Sequence, residues 1–266
     1  AEQFPLQVDL RRGHAAVFGA SGWGKTTFLR TLLASLAAVH SPAEMHAYIL
    51  DFGGRQLSVF RDLPHIGAII HADEEERVVR LMRMLDTLLE SRKTLLSDAG
   101  ADDLYAFNAA NPGRAMPAVL VLVDNFAEFR EAYEGLLPML TSIARESRAY
   151  GIHFAITADS PGALTGKLFN LFTERFALKL SDPTDYLAIV GRGARAIDDI
   201  PGRGYVQAGR RALAFQAALP LSMPAESAAA TDGGEGAEDT QNLTRLVHTL
   251  ASVATNLPEA RRPMPI

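Results

Sequence analysis

The sequence predicts an α/β fold in which helices flank a mainly parallel central sheet, with a C-terminal β-hairpin and a trailing amphipathic helix. Short apolar runs suited to buried parallel strands alternate with stretches of helical period, as expected for a chain of βαβ units. A glycine-rich stretch at residues 19–27 separates the first apolar run from the first helical stretch. With 266 residues, of which 48% are hydrophobic and 21% charged, the chain is long enough for one large core.

In chain order, the predicted strands cover residues 15–18, 46–50, 68–70, 119–123, 152–157 and 176–180. The predicted helices cover residues 25–38, 74–96 and 132–150, with a shorter one near 166–172. In the second helix the apolar residues share one face, which predicts packing on the sheet: Val78, Leu81, Met82, Leu85, Leu88 and Leu89. Residues 204–208 and 212–217 flank a Gly-Arg-Arg turn and predict the hairpin.

Three parts of the chain differ in composition. Residues 1–220 hold all the predicted strands and are expected to form one domain. Residues 221–242 are rich in Ala, Gly, Ser, Glu and Asp, which predicts a flexible linker or loop. Residues 243–266 begin with apolar side chains at helical spacing and end in a proline-punctuated stretch. We therefore expect an amphipathic helix, docked on the core or on a following module, then a linker within a longer protein.

Composition and charge narrow the class of protein only slightly. The net charge of −5, from 26 basic and 31 acidic residues, neither indicates nor excludes a nucleic-acid partner. The absence of cysteine excludes disulfides, thiolate nucleophiles and cysteine-ligated zinc. No apolar stretch approaches the roughly 20 residues of a membrane helix, and the first residues lack the layout of a signal peptide.

The glycine-rich stretch matches the phosphate-binding pattern G-x-x-x-x-G-K-[ST] in the strand-then-helix context that this pattern requires. Its glycines let backbone N–H groups surround a β-phosphate, Lys25 reaches the β and γ oxygens, and Thr26 places its hydroxyl on Mg²⁺. ATP and Mg²⁺ are therefore the predicted cofactors. The predicted nucleotide-binding residues are Gly19, Ala20, Ser21, Gly22, Trp23, Gly24, Lys25, Thr26 and Thr27. We expect the Trp23 ring to pack over the loop, with contact to a neighbouring domain or ligand as the alternative.

A second chemical signal is the all-apolar run at residues 119–123 followed by Asp124. Ligand sites of α/β sheets lie at the carboxyl ends of their strands, so Asp124 is placed to hold a Mg²⁺-bound water beside Thr26. An aspartate that only forms a turn after the strand is the alternative. We predict Lys25 and Asp124 as catalytic residues, and Thr26 with Asp124 as the magnesium site.

The residue after Asp124 bears on the mechanism. Many P-loop ATPases with an extra strand beside this one carry a glutamate there, which acts as general base for the attacking water. Here the residue is Asn125, and an amide cannot accept that proton. We predict nucleotide binding with slow or absent hydrolysis, unless Glu128 or Asp51 supplies the carboxylate.

Further segments follow in a fixed order: FPLQVDL at 4–10, DFGG at 51–54, LPHIG at 63–67, RAYGIH at 148–153, LSDPTD at 180–185 and PGRG at 201–204. Together with the phosphate loop, their order and spacing resemble the FtsK/SpoIIIE-type ATPase family. In detail they are most similar to the tandem ATPase modules of the EccC-type motor of type VII secretion. The resemblance covers nearly the whole chain to Pro220.

The resemblance implies a RecA-like P-loop domain, one of several along a membrane-anchored motor at the cytoplasmic face of the cell membrane. Such a motor assembles into rings, which implies a hexamer of the full-length protein, and exports small helical substrates. Neighbouring modules of the same chain and these substrates are the implied partners, and the membrane is reached through other parts of the protein. Active members tend to carry Thr-Gln where this sequence has Ala158-Asp159, a pair that senses the γ-phosphate. In this departure and in Asn125, the sequence resembles degenerate modules of the family. Such modules hold nucleotide as a structural element and regulate their neighbours.

By analogy with arginine fingers, five arginines are candidates for reaching the phosphates of an adjacent module. The alternative is that they only solvate the surface. They are Arg145, Arg148, Arg192, Arg195 and Arg203.

Three functions remain open at this point. The first is a nucleotide-binding module of a secretion motor with weak or no hydrolysis, favoured by Asn125 and Asp159. The second is a competent ATPase and DNA translocase of the FtsK type, favoured by Lys25, Thr26 and Asp124, for which DNA would be a partner. The third is a recognition module that captures a helical export signal in an apolar groove away from the phosphate loop.

Overall fold

The computed structural model describes residues 4–195, 197–209, 211–220, 235–255 and 262–266. Most of the residues in the predicted 221–242 linker, and part of the linker predicted after the last helix, lie outside these ranges. Among the described residues, no helix combines the length and the apolar character needed to cross a membrane.

One eight-stranded sheet organises the described residues. Its strands are β1 Ala15–Phe18, β2 Met45–Asp51, β3 Ile66–His71, β4 Ala118–Asp124, β5 Ile152–Ala158, β6 Glu174–Ala177, β7 Arg203–Ala208 and β8 Arg211–Gln216. They lie in the order β3-β2-β4-β5-β1-β6-β7-β8. The strands from β1 to β6 pair in parallel, whereas β7 and β8 form an antiparallel hairpin on β6. The predicted α/β fold with a mainly parallel sheet and a hairpin is confirmed.

Helices cover both faces of this sheet. They are α1 Lys25–Val39, α2 Glu75–Asp98, α3 Leu104–Ala110, α4 Phe126–Ala132, α5 Leu137–Glu146, α6 Gly166–Leu171, α7 Asp185–Val190 and α8 Glu235–Thr255. Because side chains alternate along a strand, each buried strand feeds two apolar cores. In β4, for example, Val119, Val121 and Val123 pack into the core with α2, α4 and α5, whereas Leu120 and Leu122 pack into the core with α1 and α8.

Two predicted elements have the wrong bounds. The helix predicted at 132–150 is the shorter α5, Leu137–Glu146. The preceding helix, α4, ends at Ala132, the residue at which the predicted helix starts, and a tight turn at Glu134–Leu136 separates the two. Pro138 lies in the first turn of α5, where its missing N–H costs no helical bond, so a helix starts there rather than continuing through it. The strand predicted at 176–180 is β6 and ends at Ala177, because the next residues bond to the phosphate loop instead, with Ala20 N–H donating to the Lys179 carbonyl at 2.7 Å.

The trailing helix, α8, begins earlier than expected. It starts at Glu235, inside the segment predicted as linker, rather than at Leu243. The prediction placed the start at the first large apolar residue, but a helix extends past its apolar stripe because each further residue adds a backbone hydrogen bond. Leu243 and Val247 of α8 are buried in the core that α1 also lines, so the helix docks on this domain.

Candidate functional site

The glycine-rich loop connects β1 to α1 at the carboxyl edge of the sheet. The Gly19 N–H donates to the Ala158 carbonyl at the end of β5, and the Ala20 N–H donates to the Lys179 carbonyl just after β6, so these two contacts fix the start of the loop. Gly24 immediately precedes α1 with a φ of 96°, a left-handed conformation that glycine adopts without steric cost. The loop therefore turns its backbone into the start of α1, where N–H groups and the helix dipole attract a phosphate.

Lys25 lies in this loop with its ammonium directed back over it. Its Nζ donates to the carbonyls of Gly19 at 2.6 Å and Ala20 at 3.1 Å, and to Asp159 Oδ1 at 2.6 Å. A lysine ammonium has three donors, so all of them are used by these partners. Binding of a phosphate by Lys25 would therefore require at least one of these contacts to give way.

Asp124 ends β4 and lies two strands away from β1, with β5 between them. The Thr26 hydroxyl donates to its Oδ2 at 2.8 Å and the Thr157 hydroxyl to its Oδ1 at 2.6 Å. Burial raises the pKa of Asp124, the two hydroxyls and Lys25 oppose this shift, and the nearby Asp51 adds to it. Gly53 lies so close that a Cβ there would fall 2.2 Å from Oδ2, so only glycine fits beside this carboxylate.

Asn125 follows Asp124 in an unusual backbone conformation. Its φ of 61° and ψ of 65° lie in the left-handed region, which asparagine tolerates better than most residues. Its N–H donates to the Thr157 hydroxyl at 2.8 Å, and its Nδ2 is 3.4 Å from the Phe52 carbonyl. Thr157 thus links Asp124 and Asn125, and Asn125 lines a cavity at the carboxyl edge of the sheet.

The two carboxylates considered as replacements for the missing glutamate do not line the cavity, although Asp51 lies opposite Asp124 on the neighbouring strand. Asp51 is buried and accepts backbone N–H bonds from Arg55 and Leu57, so both of its oxygens hold the loop after β2 in place. Glu128 is exposed on α4. Neither residue lines the cavity, whereas Asp124 and Asp159 do. The structure thus brings neither predicted replacement into the cavity lining.

A cavity of about 650 Å³ joins these residues at the carboxyl edge of the sheet. Six of the nine predicted nucleotide-binding residues line it, together with Asp124 and Asn125. The hairpin side contributes Pro201, Gly202, Gln216, Ala217 and Leu219, and it is fixed to the loop because Gly202 N–H donates to the Trp23 carbonyl at 3.2 Å. The predicted loop residues in the lining are Ser21, Gly22, Gly24, Lys25, Thr26 and Thr27, and the further lining residues are Gly53, Gln56, Thr157 and Asp159.

The other three predicted loop residues, Gly19, Ala20 and Trp23, act through their backbone or pack outside the cavity. The Gly19 and Ala20 carbonyls accept from Lys25. The Trp23 ring is partly buried against the α1 core, and Lys179 Nζ lies 4.3 Å from its ring centre. This position agrees with packing of Trp23 over the loop.

The structure describes all five candidate arginines, and none of them lines the cavity. Arg145 contacts Glu146 on its own helix, Arg148 donates to the Arg12 carbonyl, and Arg203 pairs with Asp198 at 2.9 Å. A role on an adjacent module therefore stays a prediction for these residues.

The residues present fit a magnesium nucleotide. The loop offers backbone N–H groups and an ammonium to phosphates, and the Thr26 hydroxyl and the Asp124 carboxylate meet at 2.8 Å, two oxygen donors of the kind that Mg²⁺ prefers. The cavity volume lies within the range of small-ligand sites, roughly 300–1,000 Å³.

Sequence reasoning missed three parts of the site. Thr157 lies near the carboxyl end of β5. Because β5 lies between β1 and β4, the Thr157 hydroxyl reaches Asp124. Gly53 belongs to the Asp-Phe-Gly-Gly segment at 51–54. That segment contributed to the family resemblance, but the sequence alone indicates no role for Gly53 itself. The hairpin residues enter the site through long-range contacts that no local pattern shows.

This fold and this site define a P-loop nucleotide-binding domain, with a phosphate loop after β1 and an acidic residue at the end of β4. The chain belongs to the FtsK/SpoIIIE family, whose family model matches residues 2–217.

The relatives are type VII secretion proteins, which confirms the resemblance seen in the sequence. The EccC protein of the ESX secretion system of Geobacillus thermodenitrificans is 28% identical over 97% of this chain, and that of Thermomonospora curvata is 31% identical over 81%. This chain spans only 16% and 17% of the length of those proteins.

Solved structures of such proteins share the fold. ATPases 2 and 3 of the Geobacillus thermodenitrificans protein superpose with a TM-score of 0.84 at 28% identity, over 97% of this chain and 46% of that one. The same two ATPases of Thermomonospora curvata EccC, solved in complex with a signal sequence peptide, superpose with a TM-score of 0.83 at 28% identity, over the same shares. The chain is thus homologous to one ATPase domain of type VII secretion motors.

Proposed function

We propose that this domain binds ATP with Mg²⁺, turns it over slowly or not at all, and uses the bound nucleotide to hold a rigid module against neighbouring modules of the motor. The observation that supports the proposal is one cavity lined by Lys25, Thr26 and Asp124 beside the amide of Asn125. Bound nucleotide would join the loop, β4 and the hairpin, which all line one cavity. A full-length motor would place this module at the cytoplasmic face of the membrane, within a ring.

Each residue has a part in this proposal. The loop N–H groups and Lys25 would bind the phosphates, and Thr26 with Asp124 would hold a magnesium ion, which would neutralise phosphate charge. Hydrolysis needs a group that removes a proton from water, and the Asn125 amide has no such capacity. The proposed low rate of ATP hydrolysis follows from the presence of Asn125 in place of a glutamate.

The test is to identify the nucleotide that the domain retains. The purified domain is incubated with ATP and Mg²⁺, stripped of excess nucleotide and denatured, and the released nucleotide is identified by chromatography. We expect ATP, with loss of retention in Lys25→Ala and full retention in Lys167→Ala, an exposed lysine on α6. Retained ADP with free phosphate would instead show that another carboxylate acts as base, and would favour a competent motor or translocase. No retained nucleotide would contradict the proposal.

A second candidate function, peptide recognition, is favoured by the contacts of residues 262–266. This segment contacts β2 and α2: the Tyr48 hydroxyl donates to the Met264 carbonyl at 3.0 Å and Arg77 Nε to the Ile266 carbonyl at 3.3 Å. Side chains that bind backbone carbonyls in this way hold a peptide with little regard to its sequence. The relative solved with a signal sequence peptide agrees with such a capacity.

This second candidate has its own experiment. In a variant that ends at residue 255, a synthetic peptide of residues 262–266 should bind, as measured by fluorescence anisotropy. Binding should weaken in Tyr48→Phe, which removes one donor, and stay unchanged in Lys25→Ala, whose substitution lies at the phosphate loop. Equal loss in both variants would argue against a separate peptide site.

A further inference from the structure

The strongest unassigned feature of the cavity is a second carboxylate at the phosphate loop. Asp159 follows β5 directly, lines the cavity and lies with Oδ1 2.6 Å from Lys25 Nζ. Asp124, the other carboxylate in the lining, accepts two threonine hydroxyls and belongs to the magnesium site. Asp159 has no part in that site, and it places a negative charge on the ammonium that the loop offers to phosphate.

The position of Asp159 determines which phosphate it affects. Charge-assisted contacts to an ammonium are about 2.8 Å long, so two anions held by the same Nζ lie within roughly 6 Å of each other. The loop N–H groups surround the β-phosphate, which leaves the terminal phosphate of a triphosphate as the group beyond it, toward Lys25. A carboxylate at that distance competes for the ammonium and repels the extra charge of that phosphate. A diphosphate lacks the terminal group and escapes most of the repulsion.

We propose that Asp159 is a specificity-determining residue that selectively weakens binding of the terminal phosphate, and so lowers the affinity for ATP relative to that for ADP. The proposal rests on the proposed nucleotide site. A neutral polar residue here would favour the triphosphate, and the carboxylate removes that preference. The module can then remain occupied by either nucleotide, which suits a structural role better than a cycle of hydrolysis.

The test compares ratios of affinities. Isothermal titration calorimetry, with Mg²⁺ present, measures the affinity of the domain for ADP, for ATP and for the β,γ-imido analogue of ATP, which is not hydrolysed. In Asp159→Asn we expect ATP and its analogue to bind on the order of tenfold more tightly, because an exposed charge is partly screened, while ADP changes by less than about threefold. The gain should shrink as ionic strength rises.

Two further variants serve as controls. Asp159→Glu keeps the charge and should keep the wild-type ratio of ATP to ADP affinity. Asp86→Asn removes the same charge from the exposed face of α2 and should leave every affinity unchanged.

Several results would overturn the inference. Equal gains for ADP and ATP in Asp159→Asn would mean that the carboxylate acts on the loop as a whole. Weaker ATP binding or loss of phosphate release in that variant would mean that Asp159 supports the terminal phosphate or acts as the base. Binding of both nucleotides with an unchanged ratio would refute this inference alone, whereas no binding to wild type or variants would refute the proposed function with it.

Discussion

At the scale of single residues, Asn125 changes both the chemistry and the backbone of the site. Its left-handed conformation places its N–H on Thr157 and its amide in the cavity. The sequence showed the missing carboxylate but not the conformation, because a left-handed residue after a strand depends on the contacts around it. A longer acidic side chain at this position would have to adopt the same strained backbone.

Asn125→Glu should restore hydrolysis and lower stability together. A carboxylate at the usual position of the base should raise phosphate release on the order of 100-fold, the lower end of what general-base catalysis contributes. Loss of an asparagine from a left-handed position should cost about 1 kcal/mol of unfolding free energy. Phosphate release by coupled assay and urea unfolding measure the two effects.

Asn125→Gln is the matched control, since glutamine has the size of glutamate without its charge. It should show the same loss of stability and no gain in phosphate release. If glutamate gains nothing over glutamine, then the missing carboxylate at this position does not limit hydrolysis.

At the scale of elements, the order of strands and helices follows from local pattern, and their ends do not. The apolar run ending at Asp124 predicts β4 because it is long, buried and free of breakers. The turn between α4 and α5 and the early end of β6 depend on where Pro138 and the phosphate loop lie in space. Long-range contacts likewise decide that α8 covers the α1 core rather than another module.

Leu243→Ala tests the docking of α8. Leu243 is 1% exposed in the core that α1 also lines, so its truncation leaves a cavity and should lower the unfolding free energy by about 2–4 kcal/mol. Val253 on the same helix is 59% exposed, and Val253→Ala should change the unfolding free energy by less than about 0.5 kcal/mol. Urea unfolding followed by circular dichroism gives both values. Equal small effects would show that α8 does not pack on this domain in solution.

At the scale of the whole molecule, the sheet order turns separate sequence signals into one site. Thr26 of the phosphate loop and Asp124 at the end of β4 are 98 residues apart in the sequence. In the sheet, only β5 lies between β1, which the loop follows, and β4. The sequence therefore predicted the two ends of the site, because each follows a strand. It could not predict Thr157 or the hairpin wall, whose places depend on which strands are neighbours.

The opposite end of β1 holds a group that sequence reasoning did not single out. His14 is buried next to β1, and Phe154 N–H donates to its Nδ1 at 3.1 Å. Its Nε2 must therefore carry the proton, which it donates to the Ala144 carbonyl at 2.7 Å. Burial lowers the pKa of His14 to about 4, against the opposing Ala144 bond, and the Arg148 charge lowers it further. The neutral ring thus joins α5 to β5, and protonation of Nδ1 would break the bond to Phe154.

This buried histidine predicts a loss of stability in mild acid. The pKa of His14 is lower in the folded chain than its ordinary value of 6.5, so the unfolded chain binds the proton first as pH falls. Stability is then full above about pH 6.5 and is lost progressively toward pH 4, and between pH 7.5 and 5.0 His14 alone should remove about 2 kcal/mol. His153, whose pKa burial lowers to about 3, adds to the loss in the same direction.

Urea unfolding at pH 7.5 and pH 5.0, in wild type and in His14→Gln, measures this contribution. Glutamine has an amide donor and a carbonyl acceptor but does not titrate, so the variant should lose about 2 kcal/mol less than wild type between the two pH values, whatever its stability at pH 7.5. His248→Gln, at an exposed position on α8, should lose as much as wild type. Because the comparison is between pH values within each variant, a packing defect in His14→Gln cancels. An unchanged pH dependence would then show that His14 is not held neutral in the folded chain.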